Sequence, residues 1–479
     1  ASHGVFIGCS AGKCRQSGNC NIAFGTHALR GTSTPSNNSG ANNIALGYEA
    51  GAQVKTGADN IALGQLALGG ADVTGSYNVA IGREAGKSIT SGEFQIALGY
   101  FAGSCNADGI GNIALGCKAL QGNVSADFNV AIGPQAGQLI GAGGCNVFMG
   151  YGAATSSGTA TDNDASQNVA IGMYAASTLT DGDMNTLVGS YAGANLTTGS
   201  GNVALGFAAG CKTTTSGYNV YLGDSAGRNI QTGDYNFAGG YAALHGSGTA
   251  ADNTGDYNVA LGYKAGNVIT SGASNVLIGK NAGDAVTTGS NYVAIGQDAL
   301  SAEDTGGSGA IAIGYHALKV QNGAWSNNVA IGYEAGATLT EATENVFMGY
   351  NAGKGVTTGC RVVALGSLTL TASTTGGDNV VIGGDTGRSN TGSSNVLIGA
   401  CAGRSGGDGS SNTILGHNAG GAVTNGDKNS FLGACAGDAV TTGCCNVVIG
   451  KGADVASATG NNQLAIGIDS NNWITGDSS

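Results

Sequence analysis

Proline is nearly missing from this chain: 479 residues hold two, Pro35 and Pro134. Collagen needs abundant proline with glycine at every third position, and neither holds here. Charge is scarce too, at 10% of residues against the usual quarter. Disorder needs the reverse, high charge and few apolar residues, whereas 41% of this chain is apolar. The net charge of −12 is spread thinly with no Lys/Arg cluster along the sequence, so a nucleic-acid partner or an anionic membrane surface has little electrostatic support. No apolar run approaches the ~20 residues of a membrane span, which argues against insertion. The opening ASHGVFIGCS lacks the charged-then-apolar layout of a signal peptide.

What the chain has instead is glycine, 90 residues of it, in a regular pattern. An apolar triplet ending in glycine, as in NVAIG or NIALG, recurs 27 times between Gly8 and Gly467. Of the 26 intervals between these anchor glycines, 19 are 17 residues, three are 18, one is 16 and three are 22. So short and steady a period predicts a solenoid, each unit one coil stacked on the next. The expected fold is all-β, a parallel β-solenoid (β-roll) of about 27 coils filling residues 1–467 as one array. Residues 468–479 are then a C-terminal tail or the start of a following segment.

The fourth residue before the anchor is Asn in 21 of 27 units. Stacked in register, these side chains would form an amide ladder, with Asn60, Asn202, Asn275 and Asn446 as rungs beside Gly64, Gly206, Gly279 and Gly450. Ala follows the anchor by three residues in 24 units, and Gly by four in 16. That second glycine suits a tight corner with positive φ, and all six intervals of 18 or 22 follow units with Leu or Ala in its place, as at Leu29, Leu68, Ala154 and Leu244. Leu there is expected to pack under a wider loop.

Strand side chains alternate faces, so the Val and Ile positions are assigned to the coil interior and the residue between them to the outside. That middle residue is apolar in every unit, Ala in 16 of them. An outward apolar column would need cover, either from another part of the same coil or from identical copies packed along it. Ala62, Ala204, Phe347, Leu397, Ile414 and Phe431 are the expected oligomer stripe, and a homotrimer the expected state, with an end-to-end filament as the other self-association.

The SVAIG- and NVAIG-type repeats followed by Ala resemble the head of YadA-type trimeric autotransporter adhesins, which implies a left-handed β-roll in a trimer. The longer form NVAIGYxAG…TTG resembles repeats of tail-fibre and other virion structural proteins of marine bacteriophages. The closing NNQLAIGIDSNNWITGDSS, residues 461–479, is similar to the way such arrays end. The resemblance covers nearly the whole chain. The autotransporter pattern is shorter per coil and comes with an anchor and a coiled-coil stalk, so the phage form is the better fit. It implies a rigid, non-enzymatic fibre outside the cell or on a virion, presenting a surface to a host glycan or protein. A cell-surface adhesin or extracellular filament is the alternative.

Chemistry is sparse. Hexapeptide acyltransferases need an apolar residue every six, whereas apolar positions here cluster in one triplet. The five histidines (His3, His27, His245, His316, His417) are scattered in turns, Glu303-Asp304 reads as a solvated loop, and neither a cofactor nor a metal site is expected. Twelve cysteines show no pair at equivalent positions of neighbouring coils, so free thiols and bridges both stay open. The three 22-residue units carry polar loops in which Thr32, Asn37, Asp162, Asn163, Asp252 and Asn253 are candidate contact residues, with calcium a further possibility at Asp162, Asn163 and Asp164. An ice-binding solenoid is the third reading. Adjacent threonines such as Thr287-Thr288 count against it, because neighbours in a strand point to opposite faces.

Overall fold

The computed structural model describes residues 3–15, 17–34, 37–156, 158, 163–248, 253–302, 307–321, 327–469 and 471–477. It is an all-β parallel solenoid in two compact units, one comprising Ala1–Gly239 with Gly248–Ala251, the other Gly240–Ser247 with Asp252–Ser479. In unit 1 each coil contributes one three-residue strand, from β1 (Val5–Ile7) to β14 (Phe237–Gly239), and successive strands pair parallel and in register, Val79 with Ile96 and Ala80 with Ala97. Unit 2 repeats this from β15 (Val259–Leu261) to β27 (Gln463–Ile468). It ends differently: residues past 468 form β28 (Asn471–Asp477), which pairs antiparallel with β27.

The phase of the strand is the opposite of the one assigned from sequence. The middle residue points into the coil and its neighbours point out. Ala62, Ala204, Phe347, Leu397, Ile414 and Phe431 are all at most 2% exposed, so they are core and cannot be an oligomer stripe. The cause is the Asn column: an amide that must bond to neighbouring coils faces inward, and the residue two positions on shares its face.

Core volume is conserved from coil to coil. All seven coils with Leu four residues after the anchor have Ala at the strand centre, whereas Leu187, Tyr221, Leu277, Phe347 and Phe431 occur with Gly there. The two positions share one space: a Cβ on Gly193 would lie 2.8 Å from Leu187, and one on Gly437 2.8 Å from Phe431. Coils with Gly at the corner regain volume from Ile, Leu or Val three residues on, as at Ile89, Leu196 and Val286, all fully buried. Leu at the corner adopts the left-handed region as well (Leu29 φ 43°, Leu300 φ 51°), so its longer intervals arise after the corner rather than from a wider one.

The anchor glycines answer a different demand. Gly64, Gly206, Gly279 and Gly450 have φ of 123–141°, and a Cβ on Gly279 would sit 2.6 Å from the carbonyl oxygen of Gly296 in the next coil. Stacking at roughly 4.8 Å leaves no room for one.

Candidate functional site

Three features of the coil carry its polar and apolar chemistry, two at the surface and one buried, and each follows from the offset of a residue from its anchor glycine. The first is the outward strand face. With Asn and the central residue pointing in, the residues five, three and one before the anchor and one after it point out. Val, Ile and Leu predominate in the two inner columns, most of them half-buried. In unit 1 Leu205 remains 40% and Phe207 51% exposed. Aromatic rings edge the face: Tyr77 on Phe94 (centroids 5.1 Å) and Tyr218 on Tyr235 (5.3 Å) in unit 1. In unit 2 Tyr241 stacks on Tyr263 (5.4 Å), and Tyr315, Tyr333 and Tyr350 form a stack at 5.0 and 5.4 Å. Cys20, Cys145 and Cys445 stand in the column five before the anchor, Cys9 and Cys117 in the column after it, and all twelve thiols are free.

The second is the Asn ladder beneath that face. Asn202 donates its backbone N–H (2.8 Å) and its Nδ2 (3.1 Å) to Asn185 Oδ1, and Nδ2 also donates to the Ser216 carbonyl (2.9 Å). Its own Oδ1 accepts from the Asn219 N–H. Asn60, Asn275 and Asn446 repeat the pattern, each reaching a Gly carbonyl of the next coil at 2.9–3.1 Å. Each rung thus joins three coils and satisfies polar atoms that burial would otherwise leave costly.

The third is a charged ladder two residues after the anchor in unit 2. Asn281 Nδ2 donates to Asp298 Oδ1 (2.9 Å), His316 Nε2 lies 3.3 Å from Asp298 Oδ2 and His316 Nδ1 3.8 Å from Glu334 Oε1, and Lys354 Nζ donates to Glu334. Partial burial acts to raise the Asp298 carboxyl, but hydrogen bonds from Asn281, Gln297 and His316 together outweigh it and hold it below the ordinary range. The hydrogen bond to Glu334 raises the Lys354 ammonium above its ordinary range. An Asp-His-Glu run invites an acid/base reading. Here the groups answer one another along the stack, and the arrangement neutralises charge between coils. Sequence scanning missed it because the three residues lie 18 apart; their shared offset was the available signal.

The long loops divide. Thr32 and Asn37 lie at least partly exposed, and the Thr32 N–H donates to Asn38 Oδ1 (3.1 Å). Asn163 and Asn253 are not contact residues. Both are fully buried, nine before their anchors like Asn38, and they stitch the loop to backbone: Asn163 Nδ2 to the Leu139 carbonyl (2.7 Å), Asn253 Oδ1 to the Ser247 N–H (3.0 Å). Buried and tied to backbone, neither side chain faces a receptor, although Asn163 Oδ1 has no hydrogen-bond partner. Asp162, Asp252, Glu303 and Asp304 lie outside the described residues. Among the described residues no three His, Cys, Asp or Glu side chains converge as a metal site. The first threonine of the turn donates its hydroxyl to the carbonyl of its counterpart in the next coil, Thr197 to Thr214 (3.1 Å) and Thr270 to Thr287 (3.2 Å), which occupies it structurally.

No protein-family model matches the chain, and no curated protein matches it.

Proposed function

We propose that the chain is a non-enzymatic structural fibre protein, of a phage tail fibre or another virion appendage, whose copies associate as a homotrimer through the outward strand face. The observation that carries this reading is the face itself: in each unit two columns made mostly of half-buried Val, Ile and Leu, interrupted at a few coils such as Thr186, Gly239, Thr413 and Ser430, and bordered by stacked aromatic rings. Contiguous apolar surface on this scale is unusual for a lone soluble chain. Covering each half-exposed aliphatic side chain contributes on the order of 1 kcal/mol. Two per coil, over a dozen coils, exceed the roughly 4–15 kcal/mol cost of association. The reading places the protein outside the cell or on a virion, where the polar loops would meet a host glycan or protein.

Native mass by light scattering or mass photometry tests it, with and without reductant because five cysteines stand on that face. A particle of three 46.4 kDa chains that persists in reductant, and that Leu205→Lys with Ile278→Lys dissociates, is the expected result. A monomer at micromolar concentration overturns the association. A long polymer would favour the extracellular filament instead.

A further inference from the structure

We infer that unit 1 holds a cleft for an acidic saccharide, built from cations that the sequence keeps 17 and 25 residues apart. Lys13 and Arg30 both stand five residues after an anchor glycine, so they stack on adjacent coils, tied there by the Cys14 N–H donating to the Arg30 carbonyl (2.8 Å). The third coil supplies Gln53 and Lys55. These side chains line a cleft of about 580 Å³ together with the hydroxyl-bearing residues 32 to 34 and Asp72, which pairs with Lys55. Three cations against one carboxylate leave the lining at +2, in a chain whose net charge is −12. The absence of a basic cluster along the sequence is therefore misleading: the coil offset assembles one in space.

The cleft is held open by backbone stitches rather than by its charges. Residues 31 to 34 of the first 22-residue interval form one wall, which Asn38 pins by donating Nδ2 to the Cys14 (2.9 Å) and Thr32 (3.1 Å) carbonyls. Arg15 donates its guanidinium to the carbonyls of Gly40 and Val54, fixing the same wall against the third coil. Burial lowers that guanidinium to about 10, so it stays charged at neutral pH. The lining is thus pre-organised, which lowers the cost of binding. Cationic donors suit a carboxylate or sulfate, and the hydroxyls with the Gln53 amide suit the hydroxyls of a sugar ring. A bare phosphate would fill only a small part of this volume.

The cleft stands whether or not the chain forms a fibre. Calorimetric titration of the full chain with trigalacturonate, a sulfated trisaccharide, a neutral trisaccharide, inorganic phosphate and a triglutamate peptide tests it, in about 50 and 300 mM NaCl. Binding of either acidic saccharide, weaker in the higher salt, is expected; the two arms identify which acid is preferred. Arg30→Gln or Lys13→Gln should weaken it about tenfold, and Lys451→Gln, in unit 2, should leave it unchanged. Asp72→Asn, which frees Lys55 without removing a cation, should tighten it, an effect that loss of folding cannot mimic. Binding of the neutral sugar alone, equal binding of phosphate or peptide, or no binding to any probe would overturn the inference.

Discussion

The column five residues before the anchor glycine differs between the units. In unit 1 it reads Tyr77, Phe94, Phe128, Tyr218 and Tyr235 among its members; in unit 2, after Tyr257, it turns to Ser274, Asn291, Glu344, Arg361, Asp378 and Lys428. Tyr77 stacks on Phe94 and Tyr218 on Tyr235, whereas Arg361 grips Asp378 with two hydrogen bonds (2.6 and 2.9 Å). The Asn ladder differs likewise. From Asn21 to Asn236 it is broken once, at Gln95, but unit 2 breaks it at Tyr292, Ala310, Val362 and Gln463. The scaffold survives these changes because each interrupting residue in a rung keeps its backbone: the N–H groups of Tyr292 and Val362 still donate to the preceding Asn Oδ1 at 2.9 and 2.8 Å. Side-chain columns vary freely where backbone bonding already fixes the stack.

If the scaffold is shared, breaking it should hurt both units alike, and this is the largest effect expected. Gly82→Ala in unit 1 and Gly279→Ala in unit 2 each drive a Cβ to 2.6 Å from the next anchor carbonyl. Each should destabilise its neighbouring coils by about 3 kcal/mol or more. Hydrogen-exchange mass spectrometry is the measurement, because a stacked array opens locally rather than as one transition. A large loss in one unit only would mean that the stacking differs between them.

The ladder comes next. Asn202→Val gives unit 1 the kind of gap that unit 2 has at Val362, and strands the Ser216 carbonyl; a loss of about 2–3 kcal/mol in local exchange is expected. The reverse change sharpens the contrast. Asn345 Nδ2 is buried without a partner, and Val362→Asn would resume the amide column above its Oδ1. A gain of about 1 kcal/mol around residues 345–379 is expected, and no gain would show that unit 2 has adapted to the apolar rung.

The period, the anchor glycines and the Asn rungs were legible because every coil repeats them and each meets a demand that stacking makes absolute. The facing of the strand was also written in the chain, in the pairing of Leu29, Leu68 and Leu120 with central Ala and of Phe347 and Phe431 with corner Gly. Alternation alone supplies two phases; only this exchange of volume, or the need to bury Asn beside its partners, chooses between them. Choosing the other phase turned core residues into a supposed oligomer stripe and hid the real outward columns. The Lys13–Arg30–Lys55 cleft and the Asp298–His316–Glu334 ladder escaped for a different reason. Distance along the chain was searched, whereas equal offset from an anchor brings residues together. β28 had no repeat to announce it, and its antiparallel pairing departs from the pattern.

The edge columns carry the smaller effects. Tyr218→Ala should cost unit 1 about 1 kcal/mol, the worth of an aromatic pair, with little dependence on salt. Arg361→Gln in unit 2 should cost less, and raising NaCl to about 0.5 M should erase the difference, since both partners of that pair are exposed. Acid separates the units again. Arg361 holds the Asp378 carboxyl below its ordinary range, and the Asp298 hydrogen bonds do the same. A carboxyl lowered on folding adds stability that is fully present above the ordinary value, about pH 4, and is lost as pH falls through the lowered one. The coils around Asp298 and Asp378 should therefore lose exchange protection below about pH 4, after correction for the intrinsic rate, while the Tyr218–Tyr235 stack has no charge to lose. Among the described residues unit 1 has one counterpart, Asp108, lowered by the hydroxyls of Thr90 and Ser91, so its acid response should stay near residues 90–108. Asp298→Asn should flatten the response around residues 281–334 and leave that around 361–378 intact; equal acid loss at the aromatic stacks would mean that the edge columns do not set the difference.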